Sequence, residues 1–156
     1  MEIVEVTTAA DSAIVRALLT EYATALGVDL GFQGFDAELV ALPADYLRPS
    51  GVLLLARDGD EGCGCVALHA WEPPRVAELK RLFVRPAARG RNVGRLLTQA
   101  AITFARTAGY ATVRLDTLPS MHAAQAMYAA MGFRAIEPYR LNPIPGTAYM
   151  ELDLRA

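Results

Sequence analysis

A chain of 156 residues has the length of one domain and can bury a core unaided. Its composition, 53% apolar and 21% charged, describes a globular protein rather than a disordered one. The net charge of −2 lacks the basic surplus that phosphate neutralisation demands of a nucleic-acid binder. A single lysine, Lys80, stands among the fifteen basic side chains, a bias toward planar, bidentate contacts with anions. Glu2 and Glu5 lie where a secretory leader would carry bases, and no stretch is apolar enough to span a bilayer. The expectation is a cytoplasmic protein without membrane or nucleic-acid partners.

Along the chain, residues 3–6 alternate as a short strand. Ile14, Val15, Leu18, Leu19, Tyr22 and Leu26 form a helical stripe, capped by Asp11 and stopped by Gly27. Phe32, Gln33 and Phe35 lie in a loop before a short helix near 36–42, which Pro43 closes. Val52 to Ala56 and Cys63 to Trp71 flank Asp58-Gly59-Asp60 as a hairpin. Cys63 and Cys65, two apart on one strand, are predicted to point the same way. Without a His or a further Cys they make no metal site, and they read as buried thiols.

Residues 76–84 form the next strand, ended by Pro86. Val93, Leu96, Leu97, Ala100, Ala101, Phe104 and Ala105 share a helical face that Gly109 terminates. A strand over 111–116 follows, then a helix opened by Ser120 and ended at Gly132. Strands near 133–137 and 147–154 flank a proline-rich loop with Tyr139, Pro143 and Pro145. The order β-α-α-β-β-β-α-β-α-β-β predicts an α/β fold (an α+β mixed sheet) with helices on its faces, in one domain over 1–156.

The most informative stretch is Leu82-Phe83-Val84-Arg85-Pro86-Ala87-Ala88-Arg89-Gly90-Arg91-Asn92-Val93-Gly94-Arg95-Leu96-Leu97. A strand stops, a basic turn follows, and a long helix begins. The first amides of that helix lack intrahelical acceptors and carry the positive end of its dipole. Gly90 and Gly94 keep side chains off the backbone, and Asn92 tolerates a left-handed conformation. With Arg89, Arg91 and Arg95 the turn suits a pyrophosphate. It is neither a Walker loop nor a Rossmann fingerprint. A surface turn with solvated arginines is the competing reading.

Arg89-Gly90-Arg91-Asn92-Val93-Gly94 resembles the Gln/Arg-x-x-Gly-x-Gly/Ala signature of Gcn5-related N-acetyltransferases, with Asn92 in place of the middle glycine. Leu115 to Phe133 is similar to the family's later motif, a strand followed by Asn-x-x-Ala-x-x-x-Tyr-x-x-x-Gly-Phe. Ala124, Tyr128, Gly132 and Phe133 fall at matching positions, and Met121 replaces the Asn. The resemblance covers most of the chain beyond about residue 50. It implies the family's acyl-CoA N-acyltransferase fold, a central mixed sheet flanked by helices, with acetyl-CoA as cosubstrate and no metal. It further implies that the amides of Arg89, Gly90, Arg91, Asn92, Val93, Gly94 and Arg95 hold the pyrophosphate. Leu82, Phe83 and Val84 would hold the pantetheine and acyl carbonyl, and Ala124 would line the cofactor.

Tyr128 is similar to the tyrosine that protonates the departing thiolate in many members, and its alternative is a ring packed on an apolar face. Glu78 lies where some members carry a strand glutamate as general base, direct or through water. On a regular strand Glu78, Lys80, Leu82 and Val84 share a face, and the competing reading of Glu78 is a salt bridge to Lys80 or Arg81. His69 reads as a structural imidazole, and His122 as a residue of the last helix's first turn. The acceptor side draws on Phe32, Gln33, Phe35, Tyr46, Tyr139 and Arg140, with Arg140 able to pair with an acceptor carboxylate. The implied activity is direct transfer of an acyl group to a primary amine of a small molecule. A non-catalytic acyl-CoA-binding module and transfer to a protein amine stand as alternatives. Family habit alone suggests a homodimer.

Overall fold

The computed structural model describes residues 1–27, 30–31 and 34–155. Its elements are β1 (Glu2–Glu5), α1 (Ala9–Leu26), α2 (Phe35–Ala41), β2 (Val52–Asp58), β3 (Glu61–Glu72), β4 (Val76–Val84), α3 (Val93–Thr107), β5 (Thr112–Thr117), α4 (His122–Ala130), β6 (Arg134–Ala135) and β7 (Ala148–Asp153). Their order is the one expected from the pattern. The strands make one sheet in the order β1-β2-β3-β4-β5-β7-β6. Only β4 and β5 run parallel, and every other neighbouring pair is antiparallel. The α/β mixed sheet flanked by helices is therefore the architecture of this chain.

Apolar residues of the sheet alternate between two cores. On one side Leu97, Ala101 and Ala105 of α3 cover Val66, Leu68 and Leu115. On the other, Val15, Leu18 and Leu19 of α1 cover Leu53, Leu55 and Cys65. These positions are fully or almost fully buried. Helical period on α1 and α3 and period-two alternation on the strands put each stripe against its sheet face. Among the described residues no helix is long and apolar enough to cross a membrane.

Of the three register shifts in the sheet, two decide which way site residues face. Between β2 and β3 the register passes from Ala56↔Gly64 to Arg57↔Gly62, so Cys63 is an extra residue on β3. The bulge turns Cys63 toward the α3 core while Cys65 packs in the α1 core. The two thiols therefore lie on opposite faces, contrary to the pattern of a regular strand. Both are buried and free, and desolvation raises the Cys65 thiol to about 12. Between β3 and β4 the register passes from Ala67↔Lys80 to Cys65↔Phe83. Here the extra residue is on β4, and Arg81 takes a left-handed φ of 62°.

Two helix starts also differ from expectation. The N-cap of α1 is Thr8, whose Oγ1 accepts the Asp11 N–H at 3.2 Å. Asp11 is the third helical residue, the position a capping oxygen reaches, and its carboxylate pairs instead with Arg57 at 2.6 Å. Helix α4 starts at His122 behind Met121, with no side-chain cap, so Ser120 lies outside it. Leu97, fully buried at the centre of the α3 core, is a test of the packing. Leu97→Ala is expected to cost about 2–5 kcal/mol in urea unfolding. A loss under about 1 kcal/mol would mean the helix is not seated on the sheet as described.

Candidate active site

The parallel pair β4–β5 keeps register only from Val76↔Thr112 to Glu78↔Arg114. Beyond that point the strands part, and two cavities occupy the opening. The larger, about 430 Å³, is mostly apolar and runs from Arg89 and Gly94 past Val84 and Leu82 to Met121 and Tyr22. The smaller, about 40 Å³, has Lys80, Arg81, Asp116 and Asn142 in its walls. Tyr22 and Met121 line both, so the two spaces adjoin.

The mouth of the larger cavity is the basic turn. Gly90 has φ 81° and Asn92 has φ 65°, the left-handed backbone for which glycine and asparagine are suited. Asn92 is the N-cap of α3 but makes no side-chain cap hydrogen bond. The first bond of the helix runs from Leu96 N–H to Asn92 O at 3.1 Å. The amides of Val93, Gly94 and Arg95 precede it and point out of the helix start, where partial positive charge collects. Arg89, Arg91 and Arg95 are exposed. Arg91 pairs with Asp58 at 3.1 Å, and Arg89 Nε donates to Val84 O at 3.2 Å.

Of the residues singled out for the cofactor, Leu82, Phe83, Val84, Arg89, Gly94 and Ala124 line the cavity. Gly90, Arg91, Asn92, Val93 and Arg95 form or flank its rim without being part of its wall, and the Val93 side chain is buried in the core. His122 also lines it.

Glu78 is 1% exposed and is fully engaged. It accepts from Tyr139 OH at 2.7 Å and Arg140 Nη1 at 2.8 Å, and His69 Nε2 lies 2.9 Å away. Burial alone would raise its pKa, but the hydrogen bonds from His69 and Tyr139 and the charge of Arg140 outweigh it and bring it to about 2. The partners are thus Arg140 and His69 rather than Lys80 or Arg81. Because of the bulge at Arg81, Leu82 and Val84 pack toward the α3 core, away from the groups that surround Glu78 and Lys80. A regular strand would have placed all four on one face.

Tyr128 is buried, its ring 5.4 Å from that of Phe133. Its hydroxyl makes no hydrogen bond among the described residues. Burial pushes its pKa up, with further contributions from Tyr22 and Asp116. Tyr128 is not in the wall of either cavity, yet the two groups that act on its proton both are.

The remaining candidates divide. Phe35 is buried under the Arg81 guanidinium, 5.1 Å from its ring. Tyr46 is buried edge-on to His69 at 5.8 Å. Tyr139 and Arg140 converge on Glu78, and Arg140 also lies 5.3 Å over Trp71. Phe32 and Gln33 lie outside the described residues. Tyr22, Lys80, Asp116 and Asn142 are cavity residues that pattern reading did not assign to a site. Tyr22 carried only the signal of a helical stripe, and Asn142 none at all. No cluster of metal-ligating side chains occurs among the described residues.

The Glu78 network has a pH signature. A carboxylate held near pKa 2 contributes stability that is present above the unfolded value of 4.5 and is lost as pH falls toward 2. Glu78→Gln is expected to flatten the stability profile of the protein across that window by roughly 3 kcal/mol, measured by denaturant unfolding. Parallel curves for the two proteins would show that Glu78 is not charged and paired in the fold.

The sequence profile of the Acetyltransferase (GNAT) family matches residues 15–133. An uncharacterized N-acetyltransferase of Schizosaccharomyces pombe is 41% identical over 140 residues, covering 89% of this chain and 86% of that protein. Among solved structures, an acetyltransferase from Streptococcus agalactiae superposes with a TM-score of 0.80 at 21% identity, over 97% of both chains. The yncA protein of Salmonella typhimurium, solved with its cofactor acetyl-CoA, superposes with a TM-score of 0.68 at 17% identity, over 98% of this chain and 93% of that one. With a family profile covering most of its length and a relative 41% identical over 89% of it, this chain belongs to the GNAT family of acetyltransferases.

Proposed function

We propose that the protein transfers an acetyl group from acetyl-CoA directly to the primary amine of a small molecule. The observation that carries this reading is an apolar cavity that begins at the start of α3 and adjoins a polar one across Tyr22 and Met121. The residues fit the cofactor. The Val93–Arg95 amides, with Arg89, Arg91 and Arg95 at the rim, suit a diphosphate. The apolar walls around Leu82, Val84 and Ala124 suit the arm that follows it. The Salmonella typhimurium structure, which holds acetyl-CoA, supports the same donor here.

Acetyl-CoA would supply an activated thioester. The chain's part is to hold it, to polarise its carbonyl through backbone amides of Leu82–Val84, and to move protons. Tyr128 Oη gives its proton to the departing sulfur. Its raised pKa keeps the phenol protonated at any working pH, so the donor is always loaded. Glu78, expected as the base, is engaged by three partners and lines neither cavity, so it does not reach the amine. Its role in this reading is to hold His69, Tyr139 and Arg140 as one bonded set behind the cavity walls.

Direct transfer is favoured because neither cysteine lines either cavity and Ser120, which lines the larger, has no basic partner among the described residues. Tyr128→Phe is expected to lower kcat by about 10²-fold or more and to leave the calorimetric Kd for CoA within about threefold. A variant with wild-type turnover would remove Tyr128 from the mechanism. A protein that binds CoA yet releases no thiol with any amine would be a binding module instead.

A further inference from the structure

The charged groups around the smaller cavity are unevenly satisfied. Arg81 is held by Glu38 through bonds of 2.8 and 3.0 Å. Glu78 is held by His69, Tyr139 and Arg140. Two cavity-lining groups are left with weak partners. Lys80, its side chain 12% exposed, has Glu38 at 3.9 Å, a carboxylate already engaged by Arg81. Asp116 has the neutral amide of Asn142 at 3.3 Å as its hydrogen-bond partner, with the Arg140 charge acting on it from beyond ion-pair distance. Lys80 on β4 and Asp116 on β5 line the same space from the two parted strands, and no ion pair joins them.

Charges withdrawn from water carry a desolvation penalty that a close counter-ion normally offsets. Two opposite charges that line one cavity without pairing to each other are completed by a ligand that carries both. The room is small. About 40 Å³ admits little more than the head of a ligand, which excludes a bulky amine and suits one whose two charges are a bond or two apart.

We propose that this cavity is an acceptor site for a zwitterion, an α-amino acid or comparably short amino carboxylate. Lys80 Nζ holds the carboxylate and the Asp116 carboxylate receives the ammonium. This rests on the acetyl-transfer reading above and names its substrate class. Arg140, the cation that sequence reasoning offered for the carboxylate, is committed to Glu78, and Lys80 takes that place. In the reaction Asp116 accepts one proton from the ammonium and passes it to solvent, so the nitrogen lone pair is free. The C–N bond forms and the C–S bond breaks, and the sulfur takes the Tyr128 proton. The second nitrogen proton restores Tyr128. The products are the N-acetyl amino acid, free CoA thiol and one released proton. Tyr22, with a phenol raised to about 12 by burial, borders both cavities as a neutral donor between the two substrates.

The test is a thiol-release assay on the full chain with acetyl-CoA, comparing α-amino acids with their methyl esters and with the matching carboxylate-free amines, products identified by mass. The wild type is expected to favour the amino acids in kcat/KM by about tenfold or more, the worth of one charge-assisted contact. Lys80→Met should erase that preference chiefly through KM, and Lys80→Arg, which restores a charge, should recover part of it. Asp116→Asn should reduce kcat for amino acids and esters alike. Equal rates for amino acids and esters in the wild type would overturn the assignment, as would equal losses for both in Lys80→Met. Mass gain of one acetyl group on Lys80 in protein incubated with acetyl-CoA alone would also overturn it, because the lysine would then be the acceptor. Absence of amine-dependent thiol release with every compound would overturn it together with the acetyl-transfer reading. Release without carboxylate preference overturns it alone.

Discussion

The candidate active site of this protein depends on a failure of pairing. A parallel strand pair normally satisfies its backbone along its full length, yet β4 and β5 hold register for only three residue pairs, ending at Glu78 and Arg114. Past that point the edge of β4 that faces β5 has no strand partner, and exposed peptide groups of that kind must be met by water or a ligand. The bulge at Arg81 falls just inside the opening. It is held there by the paired bonds from Arg81 to Glu38 of α2, so the irregularity is anchored from outside the sheet. Strand parting makes the space, and the bulge decides which side chains face each end of it.

That division separates two kinds of environment. Leu82 and Val84 join the α3 core and leave an apolar wall for the cofactor side. Glu78, Lys80 and Arg81 are left on the side of α2 and the late loop, where the ionisable groups collect. Burying so many charges near one another is tolerable only if they sort into bonded sets. Arg81 with Glu38, and Glu78 with His69, Tyr139 and Arg140, are two such sets. The groups that do not sort this way, Lys80 and Asp116, are the ones that border the polar cavity.

Much of the architecture was legible because period and punctuation agree. The stripe from Val93 to Ala105, with Asn92 before it and Gly109 after it, could form only a helix lying on the sheet, and α3 spans Val93–Thr107. The basic turn could be read for the same reason, since its conformation is local. The bulges at Cys63 and Arg81 were not legible. Nothing in Gly-Cys-Gly-Cys or in Leu-Lys-Arg-Leu distinguishes a bulged strand from a regular one, because the extra residue is fixed by the partner strand's register. The facing of Cys63, Leu82 and Val84 was accordingly reversed. Glu78 shows the same limit in electrostatic terms. Its place on β4 was visible, but its partners Tyr139 and Arg140 come from a loop about sixty residues later, and they set its charge state.

The positions of the thiols and hydroxyls bear on how the acyl group travels. A covalent relay needs a nucleophile that reaches the thioester and a base that activates it. Cys65 sits in the α1 core with its thiol raised to about 12, and Cys63 lies across the sheet near Asp58. Neither reaches the cofactor cavity. Tyr22 and Tyr128 have phenols raised by burial, which suits them to donate hydrogen bonds or a proton and not to attack. With two adjoining cavities, one apolar and one polar, and Tyr22 as a neutral donor at their junction, the proposed transfer has the amine meet the thioester where Tyr22 and Met121 border both spaces. On the proposed reading the protein contributes position, a dry wall and a proton, and forms no bond to carbon itself.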